Sequence, residues 1–392
     1  MRQRPFAMER WQSTYENRVD HNLSESGVHP LTLGELLELA AGTGAVGSEH
    51  DGGEADAVAD LLETSLGYGQ SNGTDALRAA IARLYDGAND TNVVVTNGSA
   101  EANFVALWRL VRPGDEVVIL VPTYMQTHGL ADGFGARVRE VPLREEAGWQ
   151  PDPDAIADAV RDATRIIVVT NPNNPTGAVL GDEARDAVLR AAERSGAWIL
   201  ADEVYAGAEL DGPPTPSFWG ASPRVIATGS LSKAYGLPGL RIGWAVAPAA
   251  LADELWARTD YTTISPGTLT DRLAALALAT GTRPRLLERT RRILRTGLDR
   301  LDAWLRPLDA FTYRPPDAGA IAYVRYDLPV ASPDFAERLR AEQSVLIVPG
   351  AHFGMGPYLR FGYGLLDDDL RAALERVGRL VRDLRGAPAG DG

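Results

Sequence analysis

Short apolar runs alternate with amphipathic helical stretches through the middle of the chain, and this alternation constrains the fold most. The runs are rich in Val and Ile and are continuous, as in strands that are buried on both faces of a parallel sheet. They span residues 93–96, 116–121, 165–170, 198–201, 225–228 and 242–246, with helical stretches at 100–111, 152–162 and 182–195 between them. The pattern predicts an α/β fold with a large, mostly parallel, doubly wound domain.

The last part of the chain has longer helical stretches and fewer strands. Helical stretches at 285–305, 332–342 and 366–384 flank strand-like pieces at 320–326, 345–348 and 359–362. We therefore expect a large domain at 46–283 and a smaller α+β domain at 284–392. Because residues 31–41 form an amphipathic helix without a sheet of their own, an N-terminal arm at 1–45 is expected to pack with the small domain.

Composition excludes several classes of function. The chain has no cysteine, which rules out disulfides, thiolate nucleophiles and cysteine-based zinc sites, and no metal site is predicted. A net charge of -14 argues against nucleic acid as a partner, since phosphate binding needs clustered Lys and Arg. Residues 1–20 lack the apolar core of a signal peptide, and no apolar run approaches the ~20 residues of a membrane span. We expect a cytoplasmic protein without a membrane partner.

Polar clusters follow several of the predicted strands. They lie at residues 97–99, 122–124, 171–177 and 230–233, each directly after an apolar run. Open α/β sheets bind ligands just beyond the carboxyl ends of their strands. These clusters are therefore expected to meet in one crevice.

Lys233 carries the strongest chemical signal, in the sequence Ser230-Leu-Ser-Lys233. A lysine held among small residues after a strand is suited to Schiff-base catalysis, which needs a positioned and partly desolvated amine. Ser230 and the guanidinium of Arg241 could bind a phosphate nearby. The alternative is an ordinary surface lysine in a loop.

Asp202 and Asn174 each have a chemical and a structural interpretation. At a strand end, Asp202 could pair with a pyridinium nitrogen, or it could cap a following helix. Tyr205, three residues later, could donate to an oxygen on such a ring. Asn174 could project a donor into the crevice, or it could belong to a plain turn between two prolines.

Four further residues at three sites have the same ambiguity. Ser99 and Ala100 stand where a helix N-terminus could bind phosphate, although a Gly-Ser turn alone is a weak signal. Tyr124 could stack on an aromatic ring or simply pack in its loop. Arg360, in a short apolar strand, could bind a substrate carboxylate or form a structural ion pair.

Taken together, these motifs resemble the fold-type I pyridoxal 5′-phosphate (PLP) enzymes, and specifically the class I/II aminotransferases. The resemblance runs from about residue 66 to the C-terminus. The motifs occur in the order of that family: Tyr68, 98–100, Tyr124, 174–177, 202–205, 230–233, Arg241 and Arg360.

The resemblance implies a role for each position. Lys233 is expected to hold PLP as a Schiff base and to move protons, and Asp202 to pair with the ring nitrogen. Asn174 and Tyr205 are expected to donate to the ring 3-hydroxyl oxygen, and Tyr124 to stack on the ring. The phosphate is expected to be bound by Ser99, Ala100, Ser230 and Arg241. Arg360 is expected to hold the substrate α-carboxylate, with Asn174 beside it. Tyr68 is expected to reach the phosphate of a neighbouring subunit, which implies a homodimer with shared active sites.

The N-terminal segment departs from the usual aminotransferase pattern. Residues 22–36 look more like the corresponding segment of capreomycidine synthase and its relatives, which catalyse elimination and addition on an arginine-derived substrate. This likeness places Glu25, Ser26, Gly27 and His29 near the substrate. His29 could donate a proton to a β-leaving group, or it could only hydrogen-bond within a turn.

Three functions follow from these patterns. The leading one is an aminotransferase that moves an amino group between an amino acid and a 2-oxo acid. The second is a PLP-dependent cyclase or lyase of specialised metabolism that works by β- or γ-elimination and addition. The third is a PLP-binding regulator without turnover, of the kind that carries a DNA-binding helix-turn-helix. The short N-terminal arm and the lack of a basic helix argue against it. Residues 22–30 and 261–267 contain no clear second Arg for a dicarboxylate, and the acidic balance, with Glu25, is compatible with a cationic substrate such as an arginine derivative.

Overall fold

The structure, a computed structural model, describes residues 4–41 and 54–386. Within these ranges the strands are β1 (His21–Asn22), β2 (Val93–Asn97), β3 (Glu116–Val121), β4 (Arg137–Arg144), β5 (Gln150–Pro151), β6 (Thr164–Thr170), β7 (Trp198–Asp202), β8 (Val225–Ser230), β9 (Ile242–Val246), β10 (Phe311–Tyr313), β11 (Ile321–Tyr326), β12 (Val345–Leu346), β13 (Val348–Pro349) and β14 (Tyr358–Gly362). The α-helices are α1 (Ala7–Tyr15), α2 (Leu33–Ala41), α3 (Glu54–Leu62), α4 (Asp75–Ala82), α5 (Ser99–Leu110), α6 (Gln126–Gly133), α7 (Pro153–Ala159), α8 (Asp182–Ser195), α9 (Ala249–Thr259), α10 (Thr268–Ala277), α11 (Thr282–Leu305), α12 (Ser332–Gln343) and α13 (Asp367–Gly386).

The larger sheet has eight strands in the order β2-β9-β8-β7-β6-β3-β4-β5. Strands β3, β4, β6, β7 and β8 pair in parallel, and β2 runs in the same direction because it is antiparallel to the antiparallel strand β9. Only β9 and, at the far edge, β5 run the other way. The predicted α/β fold with a mostly parallel sheet is confirmed.

Helices cover both faces of this sheet, which explains the continuous apolar runs. Alternate residues of a strand point to opposite faces. In β6, Ile166 and Val168 lie in the same apolar cluster as residues of α5 and α9. Ile167 and Val169 pack instead in the cluster that contains α7 and α8. The middle of a strand between two layers of helices is therefore buried on both faces, which explains its continuous apolar run.

The smaller sheet is antiparallel and has the order β10-β11-β14-β13. The N-terminal arm joins this part of the molecule through the parallel pair of β1 and β12, in which His21 lies opposite Val345. The strand-like piece predicted at 345–348 is confirmed except at Ile347, where it divides into two strands. The chain changes partners at Ile347, so β12 pairs with β1 and β13 pairs with β14.

The predicted division into 1–45, 46–283 and 284–392 stays a prediction, and its first boundary lies outside the described residues. Helix α11 begins at Thr282, beside the second boundary. None of the helices in the described ranges combines the length and the apolar character needed to cross a membrane.

Candidate active site

A cavity of about 470 Å³ lies where the parallel strands of the large sheet end. Its walls come from the connections after β2, β3, β6, β7 and β8, and from the N-terminal arm. The predicted residues that line it are Ser26, Ser99, Ala100, Tyr124, Asn174, Asp202, Tyr205, Ser230, Lys233 and Arg241. Side chains from widely separated parts of the sequence therefore meet in one place.

Lys233 points into this cavity and forms an ion pair with Glu25, whose Oε1 lies 3.0 Å from its Nζ. The same carboxylate oxygen accepts the backbone N–H groups of Ser26 (2.7 Å) and Gly27 (2.8 Å). Lys233 is the main reason that the pKa of Glu25 falls to about 2. Burial disfavours the ammonium, but Glu25 and Tyr205 together outweigh burial, and the pKa of Lys233 is raised. Lys233 is thus not an ordinary surface lysine.

Asp202 ends β7 and is buried at the base of the cavity. Its Oδ2 accepts a hydrogen bond from Nδ2 of Asn103 (2.8 Å), and its Oδ1 accepts the backbone N–H of Val204 (3.3 Å). Burial raises the pKa of Asp202. No α-helix begins at this position, so the interpretation of Asp202 as a helix cap is wrong.

Arg360 lies in β14 and is fully buried, yet it forms no ion pair with any described residue. Its Nη1 donates to Oδ1 of Asn174 (2.9 Å) and its Nη2 to the carbonyl oxygen of Ser24 (2.6 Å). Its Nε has no hydrogen-bond partner among the described residues. A buried guanidinium without a carboxylate is costly, so this position is suited to an anionic ligand.

A cradle of donors surrounds the N-terminus of α5, where Ser99 and Ala100 face the cavity. Gly98 has φ +77°, and a Cβ atom built on it overlaps the guanidinium of Arg241. A Cβ atom on Gly243 overlaps the backbone nitrogen of Ser99. Glycine at both positions lets β9 and Arg241 approach the first turn of α5, and free N–H groups at such a turn bind phosphate.

Two tyrosines complete the inner wall. Tyr205 is buried, which raises its pKa, and its Oη makes no hydrogen bond of normal geometry with a described residue, although Ser26 is close to it. Tyr124 donates from Oη to Oε1 of Glu9 (2.9 Å), and its ring meets that of Phe6 edge-on with centroids 5.1 Å apart. The face of Tyr124 toward the cavity is thereby held in place.

Helix α1 contributes a wall of the cavity that was not predicted. Met8, Glu9, Gln12 and Glu16 line the cavity opposite the strand ends. The arm is fastened there because Nε2 of Gln12 donates to the carbonyl oxygen of Ser24 (2.8 Å). The spacing of Glu9, Gln12 and Glu16 places them on one face of a helix, which is a signal that the sequence does contain.

Two predicted residues, His29 and Tyr68, lie away from the cavity, and Arg360 is not itself part of the lining but donates to Asn174, which is. The side chain of His29 is not part of the cavity lining, and its backbone N–H donates to the carbonyl oxygen of Gly364 (2.6 Å). Tyr68 is 88% exposed on the surface. Gly27, by contrast, lies against the lysine, since a Cβ atom on it would stand 3.6 Å from Cδ of Lys233.

Comparison with known proteins places the chain in a family. The family "Aminotransferase class I and II" matches residues 39–377. The chain is 35% identical over 386 residues to capreomycidine synthase from Streptomyces vinaceus, covering 96% of this chain and 95% of that protein. It is 30% identical to the aspartate/prephenate aminotransferase of Thermus thermophilus, covering 88% of this chain and 91% of that protein.

Solved structures agree with this placement. A PLP-dependent aminotransferase from Streptococcus suis superposes with a TM-score of 0.91 at 33% identity and covers 99% of this chain and 100% of its own. The PLP-dependent cyclase OrfR superposes with a TM-score of 0.86 at 28% identity and covers 98% of both chains.

The described residues fit PLP. The buried carboxylate of Asp202 is complementary to a pyridinium nitrogen, and the amine of Lys233 to an aldehyde. The unpartnered hydroxyl of Tyr205 is complementary to a ring oxygen, and the donor cradle at Ser99 to a phosphate. The chain therefore belongs to the class I and II aminotransferase family, whose cofactor is PLP.

Proposed function

We propose that this protein catalyses a PLP-dependent reaction on an α-amino acid whose side chain is positively charged. The observation that carries the proposal is the acidic wall that the arm contributes, made of Glu9, Glu16 and Glu25. Burial and the neighbouring charges of Glu25 and Glu9 raise the pKa of Glu16, as expected where carboxylates crowd one cavity. A guanidinium or ammonium group would relieve this repulsion, whereas an acidic side chain would add to it.

The remaining residues act on the common part of the substrate. Arg360 and Asn174 would bind the α-carboxylate, which supplies the anionic partner that the buried guanidinium lacks. When bound, PLP supplies an electron sink that stabilises a carbanion at the substrate Cα. Lys233, in its neutral amine form, would take the Cα proton on its Nζ, and Asp202 would hold its negative charge against the ring nitrogen. The α1 wall would exclude water from this space.

The first candidate reaction is transfer of the amino group to a 2-oxo acid. The family match and the likeness to the Thermus thermophilus aminotransferase support it. In this reaction Lys233 needs no second acid, since it takes a proton at Cα and returns it nearby. A 2-oxo acid would then bind Arg360 through the same carboxylate contacts.

The second candidate is elimination of a β- or γ-substituent followed by addition, as in a cyclase. The carboxyl groups of Glu9 and Glu16 favour it, because they line the same cavity as Lys233 and offer a second acid–base group near a leaving group. The match to capreomycidine synthase also favours it. That match covers 96% of the chain and so extends into the arm, whereas the family match begins at residue 39.

A spectral titration of the PLP-loaded protein separates these candidates. Arginine, lysine, ornithine, β-hydroxyarginine, leucine and aspartate would each be added while the cofactor absorbance is followed. Conversion to pyridoxamine phosphate that a 2-oxo acid reverses identifies amino-group transfer. Turnover that returns the original spectrum without a 2-oxo acid identifies elimination and addition.

The substrate class is tested with the same panel. The cationic amino acids should react best, and Glu16→Gln should raise their KM by roughly tenfold, equivalent to ~1.4 kcal/mol. Glu63→Gln, on a side chain outside the cavity lining, is the matched control. Equal reaction with leucine or aspartate, or no change in Glu16→Gln, contradicts a cationic substrate.

We also propose that the active unit is a homodimer. Leu62, Leu66 and Tyr68 are 79%, 80% and 88% exposed, which groups three large apolar side chains within seven positions. Exposed apolar patches of this kind mark interaction surfaces. A second copy of the chain would cover them and bring Tyr68 to the partner's phosphate cradle.

A further inference from the structure

Asn103 lies one helical turn after Ser99 on α5 and is 1% exposed. Its Nδ2 donates to Oδ2 of Asp202 at 2.8 Å, and its Oδ1 accepts the hydroxyl of Thr228 at 2.9 Å. Thr228, on β8, is fully buried as well. Both ends of the Asn103 amide are thus engaged, and its donor end faces the carboxylate.

The same amide is connected to the donor cradle. Nδ2 of Asn103 lies 3.4 Å from Oε1 of Gln126, and Nε2 of Gln126 donates to the carbonyl oxygen of Ala100 at 2.8 Å. Helix α5 therefore presents its N-terminus to the phosphate end of the site and, one turn later, an amide to the carboxylate at the ring end. One rigid element sets the distance between the two groups that hold opposite ends of the cofactor.

We propose that Asn103 is a positioning residue that keeps Asp202 ionised and aimed at the ring nitrogen of PLP, with Thr228 satisfying the other end of its amide. A buried carboxylate stays charged only if hydrogen bonds replace the water it has lost. Asn103 supplies such a bond from a neutral group, so the negative charge of Asp202 remains available to the ring. The proposal concerns cofactor binding, which both candidate reactions share, and so it is independent of which reaction occurs.

The test is a double-mutant cycle on PLP affinity with Asn103→Leu and Asp202→Asn. Asn103→Leu should weaken PLP binding roughly tenfold in the wild-type background and by less than about twofold in the Asp202→Asn background, because its effect passes through Asp202. Equal weakening in both backgrounds shows that Asn103 only supports α5 and overturns the proposal. Unchanged affinity in the wild-type background overturns it too.

Two further variants guard against a protein that fails to fold. Thr228→Val keeps the shape of the side chain and removes only its hydroxyl, so it should weaken PLP binding in the same direction by a smaller factor. Asn92→Leu removes another buried amide, whose Nδ2 donates to the carbonyl oxygen of Ala247 at 3.0 Å, and should leave PLP affinity unchanged. If Asn92→Leu weakens PLP binding as much as Asn103→Leu does, loss of any buried amide explains the effect and the proposal fails.

A spectroscopic readout adds a second criterion. Less positive charge on the ring lets the lysine–cofactor linkage hold its proton more tightly. Asn103→Leu should therefore raise the pH midpoint of the absorbance change of the PLP-loaded protein, as Asp202→Asn does more strongly. A midpoint that moves in neither variant contradicts the role given to Asp202 and Asn103 alike.

Discussion

At the residue scale, Arg360 has the clearest functional consequence, because two of its nitrogens are fixed by protein oxygens while its Nε has no described partner. The guanidinium is therefore rigid and still short of an anion. A ligand carboxylate entering the cavity would find it already oriented, which reduces the entropy lost on binding.

Replacing Arg360 with lysine should weaken binding of amino acids that have an α-carboxylate. Loss of one partner from a buried charge pair costs roughly 2–5 kcal/mol, so we expect KM to rise by about 30-fold or more. Binding of agmatine, which has the side chain of arginine without the carboxylate, should change little. A similar loss for arginine and agmatine would show that Arg360→Lys disturbs the whole cavity rather than one contact.

Glu203 leads to a prediction about pH. It is buried behind Asp202, and its carboxylate accepts hydrogen bonds from Ser217 and from the backbone N–H of Phe218, yet burial raises its pKa to about 7. Below pH 4.5 the carboxyl group of Glu203 is protonated in both the folded and the unfolded protein. Between about 4.5 and 7 the unfolded chain loses this proton first, so the free energy of unfolding falls as pH rises, by roughly 3 kcal/mol in total.

Glu203→Gln keeps the acceptor oxygen and removes the titration. The variant should gain stability relative to the wild type at pH 8 and show no gain near pH 4.5. Thermal unfolding at matched protein concentration across this range measures the difference. A constant difference at all pH values would mean that Glu203 does not titrate in this window.

Individual residues also show where prediction from the sequence stops. Lys233, Asp202 and Asn174 could be predicted because each follows a buried strand, and strand ends converge whatever the details of packing. Asn103 could not be predicted, because a polar residue inside a helix is recognised as part of a site only through the residue it contacts. Its partner, Asp202, is 99 residues away in the chain. The helical spacing of Glu9 is visible in the sequence, but its hydrogen bond with Tyr124 is seen only in the folded structure.

At the element scale, the close approach of β9 to the first turn of α5 depends on Gly243. A Cβ atom at this position overlaps the backbone nitrogen of Ser99, and backbone cannot rotate away as a flexible side chain can. Gly243→Ala should therefore push the donor cradle apart and weaken PLP binding by roughly tenfold or more, with a stability loss of about 1–3 kcal/mol. Equilibrium PLP titration and chemical unfolding measure the two effects.

Gly239 provides the matched control for this prediction. It lies in the turn before β9, and a Cβ atom on it would meet nothing within 4 Å. Gly239→Ala should leave both PLP affinity and stability close to the wild-type values. If Gly243→Ala behaves like Gly239→Ala, the approach of β9 to α5 has room to adjust and does not limit the site.

The elements themselves were predictable to different degrees. Strands such as β3 and β9 stand at their predicted bounds, since burial on both faces leaves a continuous apolar run. Strand β4 was missed because it lies near the edge of the sheet and has the sequence RVREVPLR, in which exposed charged residues interrupt the apolar ones. The place of β4 in the sheet follows from its pairing with β3, and this pairing cannot be predicted from the local sequence of either strand.

At the scale of the whole molecule, the proposed homodimer makes each active site depend on two chains. Lys233 and Tyr68 of one chain would then serve different sites. Lys233→Ala and Tyr68→Phe should each lower the activity of the homodimer. When the two variants are mixed and their subunits exchange, half of the dimers contain one subunit of each variant, and each of these has one intact site. The mixture should therefore regain roughly a quarter of wild-type activity. Activity after mixing, with sedimentation to establish the dimer, measures this.

Two outcomes would contradict shared sites. One is a mixture whose activity equals the mean of the two variants, which places Tyr68 outside the partner's site. The other is a monomer that is fully active at assay concentration. Mixing Lys233→Ala with Asp202→Asn serves as the control, because both residues belong to the same site and no intact site can form.

The parallel pair of β1 and β12 joins His21 to Val345, and this pairing has a consequence for synthesis on the ribosome. At about 5–20 residues per second, the arm emerges and waits on the order of tens of seconds before its partner strand exists. The strand-end half of the site, from Ser99 to Arg241, is complete in the nascent chain well before Arg360 is made. A nascent chain therefore acquires the residues that hold the cofactor before it acquires those that hold the substrate, and the arm closes the site only after the strands of the smaller sheet have been made.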